Sequence, residues 1–181
     1  MDITFIIIGV SIVFVLVLWA AVGVRHLRSG NKKVRGSWEF TDEKIRERHD
    51  AVPLMIEICG GGSVPGTPGA TAQDLIAIRN VARRIYRASE EKVEKEKELG
   101  KVLTAFVLQH GKTEEMKKNQ LFLEALGNLK GLKREIVGRS REYNEVAVRF
   151  NKHRGFFLLK PLAGVFRIRQ AGKFEFGVDG E

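Results

Sequence analysis

Arg48, His49 and Asp50 stand in a row, and an acid beside an imidazole is the raw material of acid–base or nucleophilic chemistry. Their spacing argues against that use. Consecutive side chains on a helix diverge by about 100°, so His49 and Asp50 cannot form a dyad by themselves. His26, His49, His110 and His153 lie far apart, and no pair has metal-ligand spacing within one helix. Cys59 is the only cysteine, which removes disulfides and cysteine-based zinc sites. The run Gly60-Gly61-Gly62-Ser63-Val64-Pro65-Gly66-Thr67-Pro68-Gly69 invites comparison with a phosphate loop. No Gly-Lys-Ser/Thr ends it and no strand precedes it, so a flexible linker is expected. The expectation is a non-enzymatic chain with no catalytic residue, metal or cofactor, in which His49 makes a surface or interhelical hydrogen bond.

The elements that would position these residues begin with Ile3 to Val24, an apolar run free of charge. As a helix its 22 residues span about 33 Å, close to the thickness of a bilayer's hydrocarbon core. A signal peptide fits poorly: the run is long, it lacks a basic leader, and no small-x-small site follows. Arg25, Arg28, Lys32, Lys33 and Arg35 come next with no acid among them. By the positive-inside rule these five should touch the membrane at its cytoplasmic side. A single-pass cell-membrane protein follows, its bulk cytoplasmic and its short N-terminus outside. Of the 22 acidic residues only Asp2 precedes Arg25, so all 31 basic residues lie beyond the span. That excess favours anionic lipid head groups or an acidic protein; no nucleic-acid reading motif accompanies it.

Beyond the anchor the pattern is all-α, an antiparallel bundle of long helices with coiled-coil-like stripes. Val34, Trp38, Ile45, Val52, Met55 or Ile56 and Cys59 form one stripe if Thr41 and Arg48 or His49 fill its gaps. Pro53 lies inside that helix, where it removes a donor and crowds the carbonyl of His49, so a kink is expected. A second helix should start at Thr71 with Asp74 in a capping box, carry Leu75, Ile78, Ala82, Ile85, Val102, Leu103, Phe106 and His110, and end at Gly111. Its charged middle, Glu90 to Glu98, is expected to be a solvated face. A third runs from about Asn119 through Phe122, Leu126, Leu129, Leu132, Ile136, Tyr143, Ala147 and Phe150. The expected division is 1–24 anchor, 25–36 basic juxtamembrane segment, 37–151 bundle and 152–181 basic, aromatic tail.

Trp38 followed by Arg48-His49-Asp50-Ala51-Val52-Pro53-Leu54 and Glu57 resembles the signature of the LemA family. Val81-Ala82-Arg83, Lys117-Lys118-Asn119 through Phe122, Arg141, Tyr143-Asn144, Asn151 and Phe174-Glu175-Phe176 extend the likeness along nearly the whole chain. The chain departs from the family's pattern in its glycine-proline loop and in Ser140, where an arginine is usual. The resemblance implies a bacterial membrane-anchored helical bundle linked to envelope processes, without an established enzymatic activity.

If the helices pack antiparallel in sequence, counting residues from the turns brings Arg48, His49, Asp50, Arg83, Tyr143 and Asn144 to one level. These six form a candidate polar layer, either a register lock among helices or a ligand or partner site. The same count carries the loop of Lys112, Lys117 and Lys118 to the membrane and the tail tens of ångströms away, unless Gly30 and Gly36 act as a hinge. Two functions compete. One is a membrane-anchored scaffold or adaptor serving an unknown protein or lipid partner, alone or as a homo-oligomer. The other is an enzyme or ligand-binding subunit using His49, Asp50 and Tyr143. The tail, with seven basic residues between Arg149 and Lys173 and many apolar ones, should either cap the bundle or touch an anionic membrane.

Overall fold

The structure, a computed structural model, describes residues 3–60 and 70–177. Its elements are α1 (Ile3–Ile58), α2 (Ala72–Arg84), α3 (Glu90–His110), α4 (Glu114–Lys118), α5 (Gln120–Gly155) and α6 (Lys160–Val165), with no strand among the described residues. The glycine-proline loop falls almost wholly on 61–69, outside the described residues. The chain is thus an all-α bundle preceded by a helix long and apolar enough to cross a membrane.

The chain forms two compact units that cut across the linear segments 1–24, 25–36, 37–151 and 152–181. One comprises residues 37–144 with 172–181, and the other residues 1–36 with 145–171.

In the larger unit the stripe of α1 is buried as its periodicity requires, with Thr41, Arg48 and His49 filling the gaps between Ile45, Val52, Met55 and Cys59. Leu75, Leu99, Phe106 and Phe122 meet Val52, Met55 and Cys59 in one hydrophobic core. α5 runs against α1: Thr41 Oγ1 donates to the carbonyl of Arg139, Lys44 pairs with Glu135 at 3.2 Å, and Trp38 packs on Tyr143. The Thr71–Asp74 capping box forms in both directions, and Gly111 caps α3 through its N–H to Val107.

The helix expected from Thr71 to Gly111 is broken. α2 ends at Arg84, with the Ile85 N–H bonded to Ala82, and α3 starts afresh behind Ser89. The Ser89 hydroxyl accepts from the Lys92 N–H at 3.1 Å, and Glu90 and Glu91 place negative charge on the first turn. The break also frees the Tyr86 carbonyl, which accepts from Trp38 Nε1 at 2.9 Å.

In the smaller unit the chain after α5 folds back beside α1. Leu162 and Ala163 of α6 are buried, and a Cβ at Gly23 would lie 2.5 Å from Leu162 and 3.1 Å from Leu159. Asn151 grips both backbone groups of Ala171, and Arg154 donates to the carbonyl of Ile168 at 2.7 Å. The tail thus lies against the end of the apolar run, not tens of ångströms from it. Counting from the turns failed because α5 reaches Gly155, so the chain leaves it where His153 meets His26 of α1. Gly30 and Gly36 lie within α1 and open no break in it. At Gly30 the lack of a side chain admits the Phe150 ring.

Candidate functional site

Four ionisable side chains are packed together inside the larger unit. Arg48 and His49 come from α1, Lys92 and Glu96 from α3, and all four are almost completely buried. Lys92 and Glu96 are four apart, so they share one face of α3, while Arg48 and His49 straddle the inner face of α1. Arg48 pairs closely with Glu96 Oε2 and also donates to the Glu96 carbonyl at 3.1 Å. A carboxylate can only accept, so His49 donates from Nε2, at 2.9 and 3.2 Å from the two Glu96 oxygens. Lys92 Nζ lies 3.1 Å from Glu96 Oε1 and donates to the Ala82 carbonyl at 2.8 Å, closing the exposed end of α2.

Burial alone would raise the Glu96 carboxyl, but the His49 hydrogen bond and the charges of Arg48, His49 and Lys92 outweigh it and hold the group at about 2. Burial pushes the Arg48 guanidinium down, against the pull of Glu96. Arg48 Nε and His49 Nδ1 are buried without a hydrogen-bond partner among the described residues. The Arg48 guanidinium also stacks over the ring of Phe176, 5.1 Å from its centroid.

The expectation of a solvated face from Glu90 to Glu98 is therefore wrong at its centre. Lys92 and Glu96 lie where the apolar stripe of α3 would continue, ahead of Leu99, Leu103 and Phe106. A lysine and a glutamate look like surface residues in a sequence. Here each is paired, and the interior is their place. Their four-residue spacing in phase with that stripe was the available signal.

The six residues expected in one layer are not brought together. Arg48 and His49 join the buried quartet, whereas Asp50, one residue on, faces the surface and pairs with Arg79 at 3.3 Å and Arg83 at 3.1 Å. Arg79 contributes a second contact that sequence counting missed. Pro53 cannot donate to the His49 carbonyl, and Arg79 Nε takes that role at 2.5 Å. The carbonyl that Pro53 leaves open is thus covered by a side chain of α2. Tyr143 and Asn144 serve a third place. The Tyr143 hydroxyl donates to the Gly172 carbonyl at 2.7 Å, and burial pushes its pKa up to about 12. Asn144 binds both the N–H and the C=O of Phe174, each at 2.9 Å. Ser140 adds bonds to the Phe174 carbonyl and the Phe176 N–H, so the segment from Gly172 to Phe176 is strapped along α5.

Of the five basic residues after the apolar run, Arg25, Arg28, Lys32 and Arg35 recur at helical spacing on one face of α1, with Lys33 beside them, and all five are exposed. The Arg28 guanidinium lies 5.9 Å from the centroid of the Phe166 ring.

The arrangement can lock helices. Each Glu96 oxygen is engaged, His49 is sealed beside it, and no group of His, Cys, Asp or Glu suited to a metal occurs among the described residues. The sequence model of the LemA family matches residues 37–181. No curated protein and no solved structure matches the chain.

Proposed function

The chain belongs to the LemA family, and from that premise we propose that it is a single-pass membrane scaffold holding a rigid helical bundle at the cytoplasmic face for a protein partner. One observation carries this reading: the signature Arg48-His49-Asp50 with Pro53 acts as an interhelical clamp. Arg48 and His49 secure α3 through Glu96, while the His49 carbonyl and the Asp50 carboxylate secure α2 through Arg79 and Arg83. A motif whose polar groups are spent on ties to other helices, buried for Arg48 and His49 and at the surface for Asp50, builds a shape. It leaves the outside of the bundle to do the recognising, where Phe40, Tyr86, Leu108 and Leu121 stand more than half exposed. The orientation rests on the five exposed basic residues after the apolar run.

A photo-crosslinking residue placed at each of those four positions in living cells tests the scaffold. The expected result is an adduct to the same protein from at least two positions. Only scattered, position-independent adducts would overturn it. Cys59 cannot report orientation, because it is buried and its thiol is pushed up to about 11. In a Phe40→Cys chain the new cysteine should resist an impermeant maleimide in intact cells and react after permeabilisation. Labelling from outside would reverse the topology.

A further inference from the structure

Apart from Val148 on α5, the large exposed apolar side chains of the smaller unit fall in two places. One is the run from Ile3 to Val22, and the other is the turn and short helix after α5. There Phe156, Phe157, Leu158, Val165 and Phe166 are exposed, although Leu162 and Ala163 between them are buried. The buried pair belongs to the face of α6 that lies on α1, where Leu159 and Leu162 close on Gly23. Gly23 and Val24 end the charge-free run, and a helix of that run's 22 residues is about 33 Å long against a hydrocarbon core of about 30 Å. Whatever packs on Gly23 therefore sits at the boundary between hydrocarbon and head groups. Five large apolar side chains facing outward at that height are strained in water and at ease in an interface.

The walls beside this contact continue the pattern. A groove of about 520 Å³ runs along Val17, Ala20, Ala21 and Val24 and ends at Arg25 and Arg28, with Phe166 closing it. Its lower part is hydrocarbon and its upper end carries two guanidiniums, each able to fork onto phosphate oxygens. An inorganic phosphate would use only the top of such a groove, whereas a phospholipid would use all of it. We propose that residues 156–166 form a second membrane contact lying in the interface beside the span, and that the groove they close against α1 holds an anionic phospholipid. This rests on the reading of α1 as a membrane span.

The full chain, with buried Cys59 replaced by Ala, is reconstituted in nanodiscs of phosphatidylcholine and phosphatidylglycerol carrying one spin label, at Phe157→Cys or at Ile12→Cys. Accessibility to oxygen and to a water-soluble nickel chelate gives the depth of each label, calibrated with phospholipids labelled at known chain positions. The label at 157 should lie at or below the phosphates and be shielded from the chelate. A label at 157 open to the chelate while that at 12 is shielded would overturn the second contact and leave the span intact. If both are open, the span reading itself has failed. In the same discs the lipids restricted by the protein should be enriched in phosphatidylglycerol severalfold. Arg25→Gln with Arg28→Gln should abolish that enrichment, and equal enrichment in parent and variant would overturn the groove.

Discussion

Glu96 holds three basic side chains and Asp50 two, and the larger difference is where they do it. The Glu96 side chain is 1% exposed, with Arg48, Lys92 and His49 sealed around it. That of Asp50 is 60% exposed, and its partners Arg79 and Arg83 reach it across the surface. In water an ion pair adds little, because solvent already stabilises both charges. In the interior each charge has lost that solvent, so every partner becomes necessary to the others. The two clusters are joined by consecutive residues of α1, and a turn of about 100° separates a structural keystone from a surface contact.

The sharpest way to break this comparison is to remove the buried acid. Glu96→Ala should destabilise the domain by about 3–5 kcal/mol, since Arg48 and Lys92 would remain buried and unpaired. Replacing Arg48, His49, Lys92 and Glu96 together by apolar residues of similar volume should cost far less in a thermal melt. A cluster that tolerated the single change as well as the fourfold one would not be closed.

Acid should test the buried cluster next. The Glu96 carboxyl is held at about 2, below its ordinary 4.5, so its contribution is complete above the unfolded value and is lost as the pH falls from about 4.5 toward about 2. The shift corresponds to about 3 kcal/mol at most. Denaturant melts across that window should steepen for the parent and flatten for Glu96→Gln.

The smallest effects compare Asp50 with the Asn144 strap. Asn144→Ala leaves the Phe174 N–H without its partner, while Ser140 still holds the carbonyl, and should cost about 1–2 kcal/mol, whereas Asp50→Ala should cost less than about 1 kcal/mol. The double variant should show the sum, because Asp50 binds α2 and Asn144 binds the segment after Gly172. Non-additivity by urea melts would restore the single polar layer that counting from the turns suggests.

Much of the molecule was legible without coordinates. The helix of membrane-crossing length follows from the charge-free run before Arg25, the inner face of α1 from three-and-four spacing, the start of α2 from Thr71 and Asp74, and the opening at the His49 carbonyl from Pro53. Each is set by residues within a few positions of one another. The break before Ser89 was legible too, as a capping serine followed by two acids, but the apolar period continuing on either side concealed it. Asn144 and Asn151 were visible as polar residues on a helix; that each clasps one backbone residue of the returning chain was not.

Local order is thus the part that the sequence determined: a membrane-length apolar helix, further helices, their caps, and the buried stripe. Tertiary structure decided the partners. Lys92 and Glu96 are interior only because Arg48 and His49 arrive from 40 or more positions away. The tail meets the end of the apolar run only because α5 is long enough to deliver it there. A charge is at home in the core when its counter-charge is present, and that condition is a matter of distance in space, which spacing along a chain does not contain.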